Sequence, residues 1–564
     1  MSTESIKAEN AQSTVEPEGG EVLGIPSIGE TLGGLAAPLT HGQTVTREAV
    51  RLGGELARVA VGRSEVAPAK GDRRFSDPAW SGNPLFQRIQ RGYLAAAGAL
   101  TNVVEEYAEG TDDARRAEQA RFASNILIST LAPTNYLPTN PAALKRAFDT
   151  GGRSLARGLG HFVDDLRNNG GMPRMVEPGA FEVGRNLALS PGAVVARDPM
   201  GEVLQYQPST EQVSARPLLI IPPPINRFYV VDLSPGRSFV EYAVKNGIST
   251  YLLSWRNPTV EQGDWNLDNY AERVSDAIDT VREVSGSDDV NVIGFCAGGI
   301  ITTTLLNHLT AIGDERVHSM SYAVTLLDFE FGDRAPINAM SSAHLLRFAQ
   351  ARSRRKGLIS SRQMGAAFTW MRPDDLVWNY WVNNYLMGDK PPAFDVLAWN
   401  ADGTNLPGAL HCEFLDIFAD NGLAKPGAFS VMGTPLHLER IKIPTFVTGA
   451  LTDHLTPWMG CYRTTQLLSG ESTFVLSYSG HIASLVNPPG NPRAHYWTGG
   501  TPGPDPEQWL KGAEKHTGSW WEAWIEWLKA RSGDQGPAPT ALGSSVHPVL
   551  EPAPGRYVRD LPPA

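Results

Sequence analysis

The chain is 564 residues long, 41% hydrophobic and 19% charged, which is apolar enough for a sizeable core and too lightly charged for a disordered protein. A formal net charge of −11 argues against nucleic-acid partners, whose phosphates require clustered Lys and Arg. The three cysteines, Cys296, Cys412 and Cys461, cannot build a disulfide framework, and no Cys/His cluster has metal-ligand spacing, so no metal and a reducing cytoplasm are expected.

Residues 1–70 are rich in Gly, Ser, Glu and Ala with little periodic apolar signal, and are expected to be a flexible segment. Met1 to Glu21 lacks the basic start and apolar run of a secretory signal, and no later stretch is long and apolar enough to span a membrane. From Phe75 to about Phe162, within a domain read as 71–195, the apolar spacing is helical, as in Leu85, Ile89 and Tyr93 and the Ala-rich run through Leu100 and Val104. This predicts a helical N-terminal domain, with Asn140 capping a helix that starts at Pro141.

From Gly192 onward short β-rich runs alternate with helical segments, and residues 196–564 read as one catalytic domain. Buried strands are expected at 216–223, 247–255, 289–295, 320–329, 443–450 and 472–479, with helices such as Tyr270–Val284 and Ile300–Ile312 between them. That alternation predicts a mainly parallel, doubly wound α/β sheet. The gap from 330 to about 440 is too long for a connection, so it should hold a cap insertion, rich in aromatics at Trp378–Leu386.

The run Gly294-Phe295-Cys296-Ala297-Gly298 closes a strand and opens a helix, the Gly-x-nucleophile-x-Gly spacing of a nucleophile elbow with Cys in place of Ser. Small residues let the tight turn project its nucleophile, and the helix N-terminus favours a thiolate or an oxyanion. A lone cysteine is more often a small buried hydrophobe. The strand-to-helix corner favours chemistry at Cys296, whereas Cys412 and Cys461 lack such a context and read as core.

In the α/β-hydrolase fold the acid and the histidine follow the nucleophile at the ends of later strands. Asp453 follows the strand at 443–450 and His481 the strand at 472–479, which gives Cys296, Asp453 and His481 as catalytic candidates. The plain alternatives are a helix N-cap for Asp453 and a hydrogen-bonded loop residue for His481. Asp328, at the end of another strand, is the rival acid and reads as structural; His454 reads as a neighbour. The oxyanion hole would use the backbone N–H of Ala297 and a second N–H from Ile225 or Asn226.

With these residues in view, the chain resembles the polyhydroxyalkanoate synthase family from about Phe75 onward. The resemblance is carried by "PPPINRFYVVDLSP" (222–235), "SWRNP" (254–258), "GFCAGG" (294–299), "MRPDDLVWNYWVNNYL" (371–386), "TNLPG" (404–408), "TDHLTPW" (452–458), "SGHIASLVNPPGNP" (479–492), "GSWWEAW" (518–524) and "EPAPGRYV" (551–558). It implies a Cys296-His481-Asp453 triad, (R)-3-hydroxyacyl-coenzyme A substrates, free coenzyme A as product and no cofactor. It also implies a homodimer of the single-component type, in the cytoplasm on polyester granules, in contact with the growing polymer and with granule-associated proteins. "NPPGNP" and "NGGMP" (169–173) are similar to the medium-chain type, Phe295 and Ala483 to the short-chain type.

Trp520, Trp524 and Trp527 share a helical face, which core packing explains better than granule contact; the N-terminal helices are the better candidates for the granule. Two readings compete with polymer synthesis: a thioesterase or polyester depolymerase of the same fold, and a non-catalytic granule coat.

Overall fold

The structure, a computed structural model, describes residues 28–330 and 343–560. The expected flexible segment is therefore described only from Ile28, and residues 331–342 of the expected cap lie outside the described residues.

Eleven strands form the main sheet: β1 (Gly192–Arg197), β2 (Gly201–Tyr206), β3 (Leu218–Ile221), β4 (Thr250–Trp255), β5 (Val290–Phe295), β6 (Val317–Ala323), β7 (Thr445–Ala450), β8 (Ser472–Ser477), β9 (His495–Thr498), β10 (Glu514–Thr517) and β11 (Glu551–Pro552). Their order is β10-β9-β8-β7-β6-β5-β3-β4-β2-β1-β11. The six central strands, β8 to β4 in that order, pair in parallel, and the edges on both sides are antiparallel. The central strands are almost wholly buried, as a sheet covered on both sides requires.

The six expected strands are the six parallel ones. The expected 320–329 is displaced, because β6 ends at Ala323 and Val324 turns the chain with φ of +46°. β9 and β10 carry half-exposed and charged positions, so their place at the sheet edge follows from pairing with β8 and not from their own apolar pattern.

Helices Leu267–Ser285 and Ala297–Ile312 cover one face of the sheet, Phe239–Lys245 and Trp520–Lys529 the other. Trp520, Trp521 and Trp524 are buried, with Trp520 Nε1 donating to the Ser484 carbonyl (2.8 Å) and Trp524 Nε1 to Ser321 Oγ (3.2 Å). The tryptophan helix is core.

Two helices, Ile28–Leu39 and Gly42–Ala60, occupy part of the stretch expected to be flexible. Their Gly pairs weaken the sequence signal, and contacts with later helices hold them. Gly34 packs so closely on the helix Ala114–Thr130 that a Cβ there would lie 2.9 Å from the Ala123 methyl. Thr44 Oγ1 donates to Glu106 (2.7 Å), and Glu48 accepts from Asn102 (3.1 Å) on the helix Pro84–Gly110. Asn140 Oδ1 accepts the Ala143 N–H (3.0 Å), the cap expected for Pro141–Asp149. Among the described residues no helix is long and apolar enough to cross a membrane.

Between β6 and β7 the described residues build helices Ala343–Lys356, Ser361–Trp370, Asp395–Ala401 and Gly408–Asp420, with π-helical turns at Asp374–Trp378 and Val382–Leu386. The N-terminal helices grip these aromatic turns. Arg74 pairs with Asp374 (3.0 Å), Tyr385 OH donates to the buried Asp165 (2.8 Å), and Trp381 Nε1 donates to the Asn135 carbonyl (3.1 Å). Gly158 sits against Tyr385 with no room for a side chain.

Candidate active site

Every residue singled out for chemistry lies at the carboxyl end of a parallel strand: Cys296 after β5, Asp453 after β7, His481 after β8, and Ile225 and Asn226 after β3. Open α/β sheets bind their ligands along that edge.

Cys296 has φ 48° and ψ −121°, a strained conformation for a residue with a Cβ. The surroundings enforce it. Its N–H donates to the Ala323 carbonyl (2.9 Å), and its carbonyl accepts from the Gly299 N–H (3.0 Å) and Thr325 Oγ1 (3.1 Å). A Cβ on Gly294 would approach Gly299 Cα to 2.5 Å, and one on Gly298 the Ile221 carbonyl to 2.4 Å, so only glycine lets strand, turn and helix approach this closely. The Cys296 side chain is partly exposed, while Cys412 and Cys461 are buried, and burial pushes both of those thiols up.

His481 Nδ1 lies 2.7 Å from Asp453 Oδ2. The same carboxylate oxygen accepts the Thr456 hydroxyl (2.8 Å), and Oδ1 accepts the N–H groups of Leu455 (2.8 Å) and Thr456 (3.0 Å). Asp453 thus ties its own turn through Oδ1 and meets His481 through Oδ2; it caps no helix, since the next one starts at Trp458 behind Pro457. Its side chain is fully covered, at 0% exposure. Burial alone would raise this carboxyl, but the adjacent His481 ring and the Thr456 donors hold it below the usual range.

Burial alone would lower His481. The Asp453 charge and hydrogen bond, helped by the Cys296 side chain, reverse this and push the imidazole up to about 10. With Nδ1 turned to Asp453, Nε2 is the nitrogen left for the thiol.

Asp328, the rival acid, accepts from Asn421 Nδ2 (2.9 Å) and pairs with Arg463 (3.4 Å), which ties β6 to the insertion and to the helix Trp458–Leu467. Burial drives the His454 imidazole down to about 4, so that ring is neutral. Asn226 has φ of +74° and donates its N–H to Thr404 Oγ1 (2.7 Å), so this amide is engaged, which leaves Ala297 and Ile225 as the candidate donors. Ala297 opens its helix, where a backbone N–H has no intrahelical partner. Thr456 was not singled out from the sequence; the available signal was a hydroxyl three residues beyond the acid, within one turn.

A nucleophile elbow on a mainly parallel sheet, with a helical insertion at its carboxyl edge, places the protein in the α/β-hydrolase class. Residues 232–488 match the family model described as "alpha/beta hydrolase fold", and residues 71–243 match that described as "Poly-beta-hydroxybutyrate polymerase (PhaC) N-terminus". The chain is 44% identical over 533 residues to "Poly(3-hydroxyalkanoate) polymerase 1" of Ectopseudomonas oleovorans, covering 93% of this chain and 94% of that protein. It is 38% identical over 547 residues to "Poly(3-hydroxyalkanoate) polymerase subunit PhaC" of Cupriavidus necator, covering 95% and 91%. Among solved structures, a monoacylglycerol lipase of Paleococcus ferrophilus is similar over 57% of this chain and 97% of its own, at 14% identity and a TM-score of 0.32. The chain belongs to the poly(3-hydroxyalkanoate) polymerase family and is an enzyme of the acyltransferase class.

Proposed function

We propose that the protein polymerises (R)-3-hydroxyacyl-coenzyme A into polyester through thioesters on Cys296, with His481 as the base and Asp453 orienting it. The observation that carries this reading is the His481–Asp453 pair at 2.7 Å, set on the same sheet edge as a strained, partly exposed Cys296.

In this mechanism His481 already holds the Cys296 proton on Nε2, as its raised value favours, and the sulfur attacks the acyl carbonyl as a thiolate. The oxyanion is held by backbone N–H groups, of which Ala297 is one. The bond to the coenzyme A sulfur then breaks, the leaving thiolate takes the proton from His481, and the acyl group remains on Cys296. In the next half-reaction the hydroxyl of a second hydroxyacyl unit gives its proton to His481 and attacks that thioester. The new ester forms, and His481 is left holding the proton beside the Cys296 thiolate. Cysteine suits this cycle because a thioester is more reactive toward an alcohol than an ester is.

Asp453 is unsuited to taking the hydroxyl proton itself. Four donors already occupy its oxygens and it has no exposed surface, so its part is to hold Nδ1 of His481. The helical insertion over residues 330–440 acts as a cap that excludes water, without which the product would be a free acid. Residues 71–195 form the N-terminal domain and 196–564 the catalytic one. Exposed apolar side chains on the N-terminal helices, such as Phe148 at 87% exposure, favour that region as the one facing the granule and the growing chain. The active form is a homodimer in the cytoplasm.

The test is to incubate the purified protein and its Cys296→Ala variant with (R)-3-hydroxybutyryl-coenzyme A. Insoluble polyester and free coenzyme A are expected from the first and neither from the second. Free hydroxy acid as the sole product would make the protein a thioesterase, and polymer from the Cys296→Ala variant would remove the sulfur from the mechanism.

A further inference from the structure

Although the chain is acidic overall, residues 343–373 contain seven Lys and Arg and no Asp or Glu. This run covers the helices Ala343–Lys356 and Ser361–Trp370 of the insertion. Arg347, Arg354, Arg355 and Arg362 are exposed, and among the described residues none of the four forms an ion pair. Arg354 lies against the buried Cys412 thiol.

A helix C-terminus attracts cations, which accounts for Arg354 and Arg355 in the last turn of the first helix. Arg362 has the opposite setting. It is the second residue of the next helix, where the dipole disfavours a cation, and no acidic residue stands in that first turn to compensate. Its side chain lies along Gly170, 3.5 Å from where a Cβ would stand, in the N-terminal segment "NGGMP".

The basic run is joined to the nucleophile's edge of the sheet. Ser361, directly before Arg362, packs on Gly403, and Gly403 packs on Asn226 of the loop after β3. The Ser361 N–H donates to Asn405 Oδ1 (2.9 Å), and the strand pair Leu358–Ile359 with Leu406–Pro407 fixes the segment there. The segment that carries Arg362 therefore reaches the loop after β3, on the carboxyl edge of the sheet that also carries Cys296.

We infer that Arg355 and Arg362, with Arg354 and Arg347 beside them, form the subsite for the phosphates of the coenzyme A substrate, its diphosphate and its 3′-phosphate. The inference rests on the polymerase reading above. Exposed cations on the rim of a cleft attract a polyanionic substrate, and salt screens that attraction.

The experiment compares two thioesters of (R)-3-hydroxybutyrate, one with coenzyme A and one with pantetheine, which carries the same reactive thioester and no phosphate. For Arg355→Glu/Arg362→Glu the KM for the coenzyme A thioester is expected to rise about fivefold or more. Its dependence on salt should flatten, while kinetics with the pantetheine thioester stay as in the parent protein and report an intact fold. A matched double reversal at the exposed Arg63 and Arg88, in the N-terminal region, controls for net charge. Equal changes with both thioesters, or no change with either, overturn the subsite. A parent protein inactive on both overturns the polymerase reading itself.

Discussion

The Thr456 hydroxyl donates to Asp453 Oδ2, at 2.8 Å, and this is the same oxygen that His481 Nδ1 approaches at 2.7 Å. Thr456 is buried and lies 3.1 Å from His481 Nδ1 itself, so one hydroxyl steadies both halves of the pair. Hydrogen bonds to charged groups contribute about 1.5–3 kcal/mol, and a loss of that size in the transition state is about tenfold or more in rate. Thr456→Val should lower kcat by about that factor with KM nearly unchanged, and Thr456→Ser should restore most of it. Steady-state kinetics of the three proteins check this.

The two carboxylates at the ends of β6 and β7 should separate cleanly. Asp453→Asn is expected to cut kcat by a factor of at least ~10², because the histidine loses its orienting charge. Asp328→Asn should retain most of the activity and lower thermal stability by about 1–3 kcal/mol through its bonds to Asn421 and Arg463. Kinetics and thermal melts on both variants distinguish the roles.

Stability should depend on pH through His481. Its folded pKa is raised from 6.5 to about 10, so its contribution is fully present below 6.5 and is lost as pH rises through 10. Asp453, held low, adds stability that is present above its ordinary value of 3.8 and is lost as pH falls through its depressed folded value. The difference in melting temperature between the parent protein and His481→Gln should be largest near pH ~6 and shrink steadily toward pH ~10. A constant difference across that range would contradict the raised value.

Crowding at the elbow makes Gly298 intolerant of substitution. Gly298→Ala places a methyl 2.4 Å from the Ile221 carbonyl, and the backbone must shift to relieve it. A loss of about 1–3 kcal/mol in stability is expected, with activity falling further because the same shift moves Cys296. Denaturant melts and turnover report the two effects separately.

Gly158 is the corresponding point between the N-terminal helices and the aromatic turns of the insertion, since its Cα lies against the Tyr385 backbone. Gly158→Ala should loosen the Tyr385–Asp165 contact, and limited proteolysis should then cut the insertion faster than in the parent protein.

Much of this was legible in the residues. Several of the parallel strands, such as Leu218–Ile221 and Val290–Phe295, are short and mostly apolar runs, and that texture belongs to strands buried on both faces. The elbow is written in the spacing of Gly294, Cys296 and Gly298, and the positions of Asp453 and His481 follow from the strands before them. The helices at 28–60 were illegible because their glycines depress local propensity, while the contacts that hold them come from residues more than fifty positions away. The edge strands β9 and β10 were hidden for a related reason, since half-exposed segments take their conformation from the partner that supplies their hydrogen bonds.

The order of residues alone pointed to the candidate nucleophile, to the sheet that carries it and to the succession of a candidate acid and histidine, because turn chemistry and apolar patterning are local properties of the chain. Only the tertiary structure decided that Thr456 shares the Asp453 oxygen, that the Asn226 amide is engaged by Thr404, that Asp328 braces the insertion, and that Arg362 lies against Gly170 of the N-terminal segment. Each of these depends on which side chains meet across long separations in sequence, and such contacts are set by packing after the local elements have formed.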